Sequence, residues 1–272
     1  MVKSFAAHSL KEAVALRAQY DLTPYGGGTD LMIEAKENAA YLFLHAVPEL
    51  KNIVDDGEYI RIGASVTFTE LLESELTPAL LREAVRQIAA PAIRNMGTVG
   101  GNIGNGSAKA DSALIFWLAN AKLRLVSAEG ERLLPIREFY FGHKKTALGA
   151  KELIAEILLP KAGLANWYYK KVGARDALAI SRVAFAGLME IKDNIVKRCA
   201  VAFGAVSDVY LGSPEIDAML EGKTVEEARG LKSAFLAAYD EAVQPRDGRI
   251  SAAYRKDVCR NLLRDFLEEK LG

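Results

Sequence analysis

The stretch Ile93-Arg-Asn-Met-Gly-Thr-Val-Gly-Gly-Asn-Ile-Gly-Asn-Gly106 constrains this chain more than any other. Gly97, Gly100, Gly101, Gly104 and Gly106 fall within ten residues, and an apolar run opened by Asp111 follows. Glycine has no Cβ, so it accepts left-handed backbone and lets a ligand approach the main chain. Successive N–H groups in such a stretch can turn inward as an anion-binding concavity. A helix start just downstream adds unpaired N–H groups and a positive dipole end. A second cluster, Gly26-Gly-Gly-Thr-Asp30, has the same character. Two phosphate-cradling loops about seventy residues apart point to a pyrophosphate held between them, as in a dinucleotide.

The rest of the chain narrows the class. At 272 residues it can form one or two domains with a substantial core. Lys+Arg and Asp+Glu balance at 35 each, which argues against nucleic acid as the partner. Cys199 and Cys259 are the only cysteines and form no Cys-x-x-Cys pair. A disulfide framework, a cysteine-held iron–sulfur cluster and a zinc site are therefore not expected, and no other metal-ligand cluster stands out. There is no signal-peptide core and no apolar run of about 18 residues, so the expectation is a soluble, cytoplasmic protein with no membrane role.

Hydrophobic period predicts helices at Ser9–Gln19, Thr67–Glu73, Leu80–Ala89, Ser112–Asn120, Pro214–Leu220 and from Thr224, with a last one from about Ser251. Ser9/Glu12, Thr67/Glu70 and Thr224/Glu227 have the spacing of capping boxes. Leu31–Ala35 reads as one or two helical turns capped by Thr29 or Asp30. Strands are predicted at Leu22–Tyr25, Tyr41–Ala46, Tyr59–Gly63 and Glu152–Leu159, and a hairpin at Leu123–Val126 and Glu131–Ile136. Three more follow at Trp167–Val172, Val183–Ile191 and Val196–Ala205, with a tight turn at Lys192-Asp-Asn194. Strands followed by helices in the last hundred residues suggest a small antiparallel sheet with helices against it.

Several of these residues carry a family resemblance. Gly26-Gly-Gly-Thr-Asp-Leu31 resembles the first FAD loop of the flavoprotein (medium) subunits of molybdenum hydroxylases, the xanthine, nicotinate and carbon monoxide dehydrogenase family. Ile93-Arg-Asn-Met-Gly-Thr-Val-Gly-Gly-Asn102 resembles its second FAD loop, and Asp111 stands where the family keeps an acidic residue. Tyr169-Lys-Lys171, Ala179-Ile-Ser-Arg-Val183 and Tyr254-Arg-Lys256 resemble its carboxy-terminal domain. The resemblance implies an α+β fold: a two-lobed, PCMH-type FAD-binding domain over residues 1–162, with lobes of about 1–55 and 56–162, then a small domain of antiparallel sheet and helices over 163–272.

It also implies a function. The chain would be an electron-transfer subunit of a heteromeric assembly. FAD would accept electrons from a partner carrying iron–sulfur clusters, while another partner carries molybdopterin and oxidises the substrate. NAD is one acceptor the resemblance allows. By the same resemblance FAD is noncovalent, because His8, His45 and His143 lie outside both glycine clusters. The implied contacts are Tyr25, Gly26, Gly27, Gly28, Thr29, Asp30 and Leu31 from the first loop, and Thr98, Val99, Gly100, Gly101, Asn102 and Asn105 from the second. In both loops backbone N–H groups are expected to face the pyrophosphate. Asp111 is expected either to bind the flavin side of the cofactor or to cap the helix at Ser112. Ile154 and Lys170 are implied neighbours of the isoalloxazine, Lys170 placing a positive charge near its N1/C2=O end. Arg94 and Asn95 are expected to shape the second loop. Catalysis would be flavin-mediated, with no side-chain nucleophile or base. A self-contained FAD oxidoreductase and a nucleotide-binding regulatory protein are the competing readings.

Overall fold

The computed structural model describes residues 3–35, 38–175 and 178–272. They form two compact units. The first contains the chain up to Pro78, Ile88–Ser107 and Ala119–Lys161; the second contains Ala79–Gln87, Ala108–Leu118 and Ala162–Gly272.

The first unit opens with β1 (Phe5–Ala6), a helix at Leu10–Gln19, β2 (Thr23–Tyr25) and β3 (Tyr41–Phe43). The predicted cap is present: Ser9 Oγ accepts the Glu12 N–H, and Glu12 accepts the His8 N–H. The three strands make a parallel sheet in the order β1-β3-β2. Parallel neighbours need a crossover, and the helix supplies the first one. Leu22, Leu42, Val47 and Leu50 are buried beneath it. Because β2 ends at Tyr25, the first glycine cluster leaves the carboxyl end of a parallel strand, where open parallel sheets receive their ligands.

The same unit then forms β4 (Ile53–Asp55), β5 (Tyr59–Gly63), β6 (Lys122–Ser127), β7 (Gly130–Pro135), a small hairpin of β8 (Tyr140–Gly142) and β9 (Lys145–Thr146), and β10 (Leu153–Pro160). Five of these make an antiparallel sheet in the order β4-β5-β10-β6-β7. Glu156 of the central strand lies between Arg61 and Arg124, accepting from each at 2.6 Å. Burial alone would push its carboxyl up, but the two guanidiniums hold it below the usual glutamate range. A depressed carboxyl stabilises the fold above its unfolded value, near 4.5, and loses that contribution as pH falls through its folded value. Denaturant melts in acid should therefore show a steep stability loss in the wild type and a shallower one in E156Q. Equal slopes would remove Glu156 from the acid response.

Two helical expectations change here. The apolar spacing of Ile88 and Ala89 predicts that the helix from Leu80 continues through them, but it spans Ala79–Arg86 only. Ala89 adopts a left-handed φ of +42°, and Ala90 is extended because Pro91 follows. A new short helix begins at Pro91 and ends at Arg94. Arg94 Nη1 donates to Ile88 O and Ala89 O, closing the turn. At Leu31–Glu34 the predicted turns are 3-10 in geometry, and Asp30 gives them no side-chain cap.

The second unit is built on a meander of β11 (Trp167–Val172), β12 (Val183–Lys192) and β13 (Ile195–Gly204), all antiparallel. Asp193 and Asn194 both take left-handed φ in the tight turn, as two-residue hairpins require. Helices at Pro214–Asp217, Val225–Gly230, Lys232–Ala242 and Ala252–Leu271 follow, and Thr224 and Glu227 form the predicted capping box. Phe185, Phe203, Phe235, Tyr239 and Phe266 fill the shared core. Gly187 is what lets the last helix lie close, since a Cβ there would sit 2.7 Å from the Phe266 ring. Helix Asp111–Leu118, buried at all eight positions, packs on β12 and β13.

Candidate functional site

In the first unit, Gly26–Asp30 joins the end of β2 to the 3-10 turn at Leu31. Gly28 is left-handed at φ +71°, a conformation that glycine takes without strain. Gly26–Gly28 and Thr29 are half-buried, yet among the described residues the N–H groups of Gly26, Gly27, Gly28, Thr29 and Asp30 have no acceptor. Half-buried amides are ordinarily paired. Five successive unpaired amides at a strand's carboxyl end, four of them in half-buried residues and the last in exposed Asp30, make a concavity suited to an anion.

The second glycine stretch backs onto this loop. A Cβ on Gly26 would fall 2.4 Å from Thr98 Oγ1, and one on Gly27 only 1.6 Å from Met96 O. The two backbones touch because neither glycine has a side chain. The stretch is not the open loop that its glycine content predicts. Thr98 caps a helix at Val99–Gly104, its Oγ1 accepting the Gly101 N–H at 3.2 Å. The N–H groups of Val99 and Gly100 donate to Val66 O and Ala64 O, and that of Asn102 donates to Thr98 O. The amides from Val99 to Asn102 are thus engaged internally, which departs from the expectation that they face a phosphate. Gly100 serves packing, since a Cβ would meet Ala64 Cβ at 2.5 Å. Gly101 and Gly104 lie exposed three residues apart, and Asn105, the helix C-cap, is half-buried. This helix therefore presents a face without side chains at its glycines.

Ile154 sits in β10 immediately before a register shift. Its Cδ1 would be 3.6 Å from a Cβ on Gly104, so the isoleucine borders the bare helix face. Arg94 and Asn95 do shape the second stretch: Arg94 closes the preceding turn, and Asn95 Oδ1 accepts from Thr69 Oγ1 at 2.5 Å. Lys144 pairs with Glu34, tying the β8–β9 hairpin to the turn after the first loop. Gly26–Asp30 and Gly97–Gly106 contain no Lys or Arg.

In the second unit, Asp111 is the first residue of helix Asp111–Leu118 and only 5% exposed. Its carboxylate takes a hydrogen bond and ion pair from Lys171 Nζ at 2.7 Å and a hydrogen bond from Ser181 Oγ at 2.6 Å. Lys171 also donates to Gln87 O at 2.8 Å. Burial pushes the Asp111 carboxyl up, while the Lys171 ammonium and the Ser181 hydroxyl act against that shift. The buried Tyr169 hydroxyl lies against the same carboxylate, and burial together with that charge raises its pKa well above the usual phenol value. Beside this cluster an open pocket of about 560 Å³ is lined by Gln87, Tyr169, Lys170, Lys171, Arg175 and their neighbours, a size common for small-ligand sites. Lys170 is exposed there.

Lys171 and Gln87 carry no expectation from the sequence, and Asp111 has more to do than bind or cap. One signal was available. Side chains alternate along a strand, so Lys170 and Lys171 face opposite ways, and Lys171 shares the face of Tyr169.

Family models match nearly the whole chain. One described as the FAD-binding domain in molybdopterin dehydrogenase covers residues 1–162, and one described as the CO dehydrogenase flavoprotein C-terminal domain covers residues 167–270. The chain is 35% identical over 196 residues to a xanthine dehydrogenase FAD-binding subunit of Escherichia coli, an alignment spanning 66% of this chain and 65% of that subunit. It is 27% identical to the nicotinate dehydrogenase FAD-subunit of Eubacterium barkeri, across 98% of this chain and 97% of that one. Among solved structures, a chain of the reconstituted CO dehydrogenase from Oligotropha carboxidovorans superposes with a TM-score of 0.90 at 25% identity, covering 100% of this chain and 98% of its own. A chain of the Hydrogenophaga pseudoflava CO dehydrogenase gives 0.88 at 27% identity, covering 98% and 96%.

Proposed function

The chain belongs to the family of FAD-binding subunits of molybdopterin dehydrogenases, and from that premise we propose that it carries noncovalent FAD as the electron-transfer subunit of a molybdenum hydroxylase. The observation that bears most weight is the unpaired run of N–H groups at Gly26–Asp30, locked against Met96 and Thr98. With no Lys or Arg within Gly26–Asp30 or Thr98–Asn102, oriented backbone dipoles offset the charge of the pyrophosphate.

The proposed contacts are Tyr25–Leu31 and Thr98–Asn102 with Asn105, the amides coming from the first loop and the side-chain-free helix surface from the second. Ile154, Asp111 and Lys170 are proposed on the flavin side. The proposed domains are residues 1–162 and 163–272, in line with the extents of the two family models. When bound, the flavin supplies both one-electron and two-electron chemistry. The chain's own residues bind it, orient it and set the charge around it.

Among the described residues no group of side chains is suited to hold a metal ion, and both cysteines are buried and unpaired. On the likeness to subunits of such dehydrogenases, we place the iron–sulfur clusters and molybdopterin on partner subunits of a cytoplasmic hetero-oligomer, with electrons arriving from the former and leaving to NAD or another carrier. No helix of the described residues is long and apolar enough to cross a membrane.

The test is an absorption spectrum of the purified chain before and after acid precipitation. Flavin bands that pass to the supernatant as FAD are expected. A colourless chain that FAD cannot reconstitute would overturn the reading, and colour that stays in the pellet would mean a covalent flavin.

A further inference from the structure

The two glycine stretches are bridged by a third piece of the first unit, the β8–β9 hairpin. Its turn lies on the second stretch. The Lys144 N–H donates to Gly106 O at 3.0 Å. A Cβ on Gly106 would sit 3.0 Å from Lys144 Cα and from Thr146 Cγ2, so main chain meets main chain there. At the base of the hairpin, the buried Tyr140 brings its hydroxyl within 3.5 Å of Ile103 O, in the helix that Thr98 caps. The same turn reaches past the first stretch by a side chain. Lys144 Nζ donates to Glu34 at 2.5 Å. That bond, and more weakly the charge of Asp30 at the end of the loop, raises the Lys144 ammonium above the usual lysine range.

The near end of the first loop is fixed by the pairing of β2 and by the contacts of Gly26 and Gly27 with Thr98 and Met96. The far end is looser: Asp30 gives no side-chain cap, and no residue of Leu31–Glu34 is buried. Lys144 has a left-handed φ of +55°, which glycine would adopt at less cost. A lysine in that conformation fits a demand for its side chain. We propose that the β8–β9 hairpin is a clasp on the cofactor cradle. Lys144, bonded through its main chain to Gly106 and through its ammonium to Glu34, ties the exits of the two glycine stretches together and slows the release of FAD. An exposed ion pair adds little to stability. It matters here as the tether of an uncapped segment, because a loop ordered beforehand lowers the entropic cost of binding. Such an effect falls mainly on the rate of release. Lys144 and Glu34 are then positioning residues, acting through the loops. The inference deepens the flavin reading above and rests on it.

The experiment follows release of FAD from the loaded full chain after dilution, by the return of flavin fluorescence, beside a thermal melt of each variant. K144M and E34Q are each expected to release FAD about two- to fivefold faster at low salt. The charge swap E34K/K144E should return toward the wild-type rate. In about 1 M salt the wild type should approach the single variants, because the pair is screened. K144G removes the side chain and the backbone strain together, so it should melt no lower than wild type yet release FAD faster. Unchanged release from K144M and E34Q overturns the proposal. Faster release from K144M with slower release from E34Q also overturns it, since Lys144 would then act as a cation for the pyrophosphate and not as a tether. So does faster release confined to variants that melt lower. Wild-type chain that fails to take up FAD overturns both this inference and the function it rests on, whereas FAD that binds and leaves every variant at the wild-type rate overturns this inference alone.

Discussion

Replacing Lys171 with methionine is expected to destabilise the second unit by about 3–5 kcal/mol, the usual effect of removing one partner from a buried ion pair. Both partners are well shielded, with side chains 7% and 6% exposed, so solvent screening offers little relief. The substitution strands the Asp111 carboxylate and leaves Gln87 O without its ammonium donor. The drop in melting temperature should be on the order of 10 °C for a domain of this size. The D111N/K171M double variant removes both charges at similar volume and should recover most of the loss. Calorimetry of the four proteins in this cycle gives the coupling directly. Additive losses would mean that the two side chains act independently despite their contact.

Gly27→Ala is expected to weaken FAD binding at least tenfold, about 1.4 kcal/mol or more. Its Cβ would fall 1.6 Å from Met96 O, far inside any permitted contact, and the obstruction is backbone rather than a side-chain tip. The two stretches must separate, and the five unpaired N–H groups lose their common orientation. Overpacking in a close-packed site typically costs about 1–3 kcal/mol of stability as well. Gly230→Ala is the matched control. Nothing lies within 4 Å of a Cβ there and the residue is helical, so affinity should be unchanged. Isothermal titration with FAD compares the two. Wild-type affinity in Gly27→Ala would show that contact between the loops does not shape the cofactor site.

Much of this was legible in the sequence because it is local. The three predicted caps need only a hydroxyl and a carboxylate three residues apart, and all three helices begin where that spacing puts them; Thr67/Glu70 and Thr224/Glu227 close full capping boxes, whereas Glu12 accepts from His8 rather than from Ser9. The Lys192-Asp-Asn194 turn is equally local, set by residues that tolerate left-handed φ. The helix at Val99–Gly104 was hidden for a physical reason. Three of its six residues are glycine, which disfavours helix by about 1 kcal/mol each relative to alanine. Tertiary bonds from Val99 and Gly100 to Val66 and Ala64 override that preference. The early end of the helix at Arg86 turned on Ala89 adopting a conformation that its side chain ordinarily avoids. The partners of Asp111 were hidden by distance: Lys171 is 60 residues away and Ser181 is 70, and nothing in one sequence pairs them. The alternation of side chains in β11 would have singled out Lys171 as the inward lysine, but not what it meets.

The second unit is assembled from three separate runs of chain, two of which are made long before the third. The segment Asp111–Leu118 leaves the ribosome as Asp-Ser-Ala-Leu-Ile-Phe-Trp-Leu, while β12 and β13, which cover it, begin only at Val183 and Ile195. For the time it takes to translate those intervening residues, this apolar helix has only the earlier helix Ala79–Arg86, among the elements of its unit that pack on it, to lie against. Synthesis of this chain therefore includes a built-in interval of sticky exposure, and hydrophobic-segment chaperones would meet it there first.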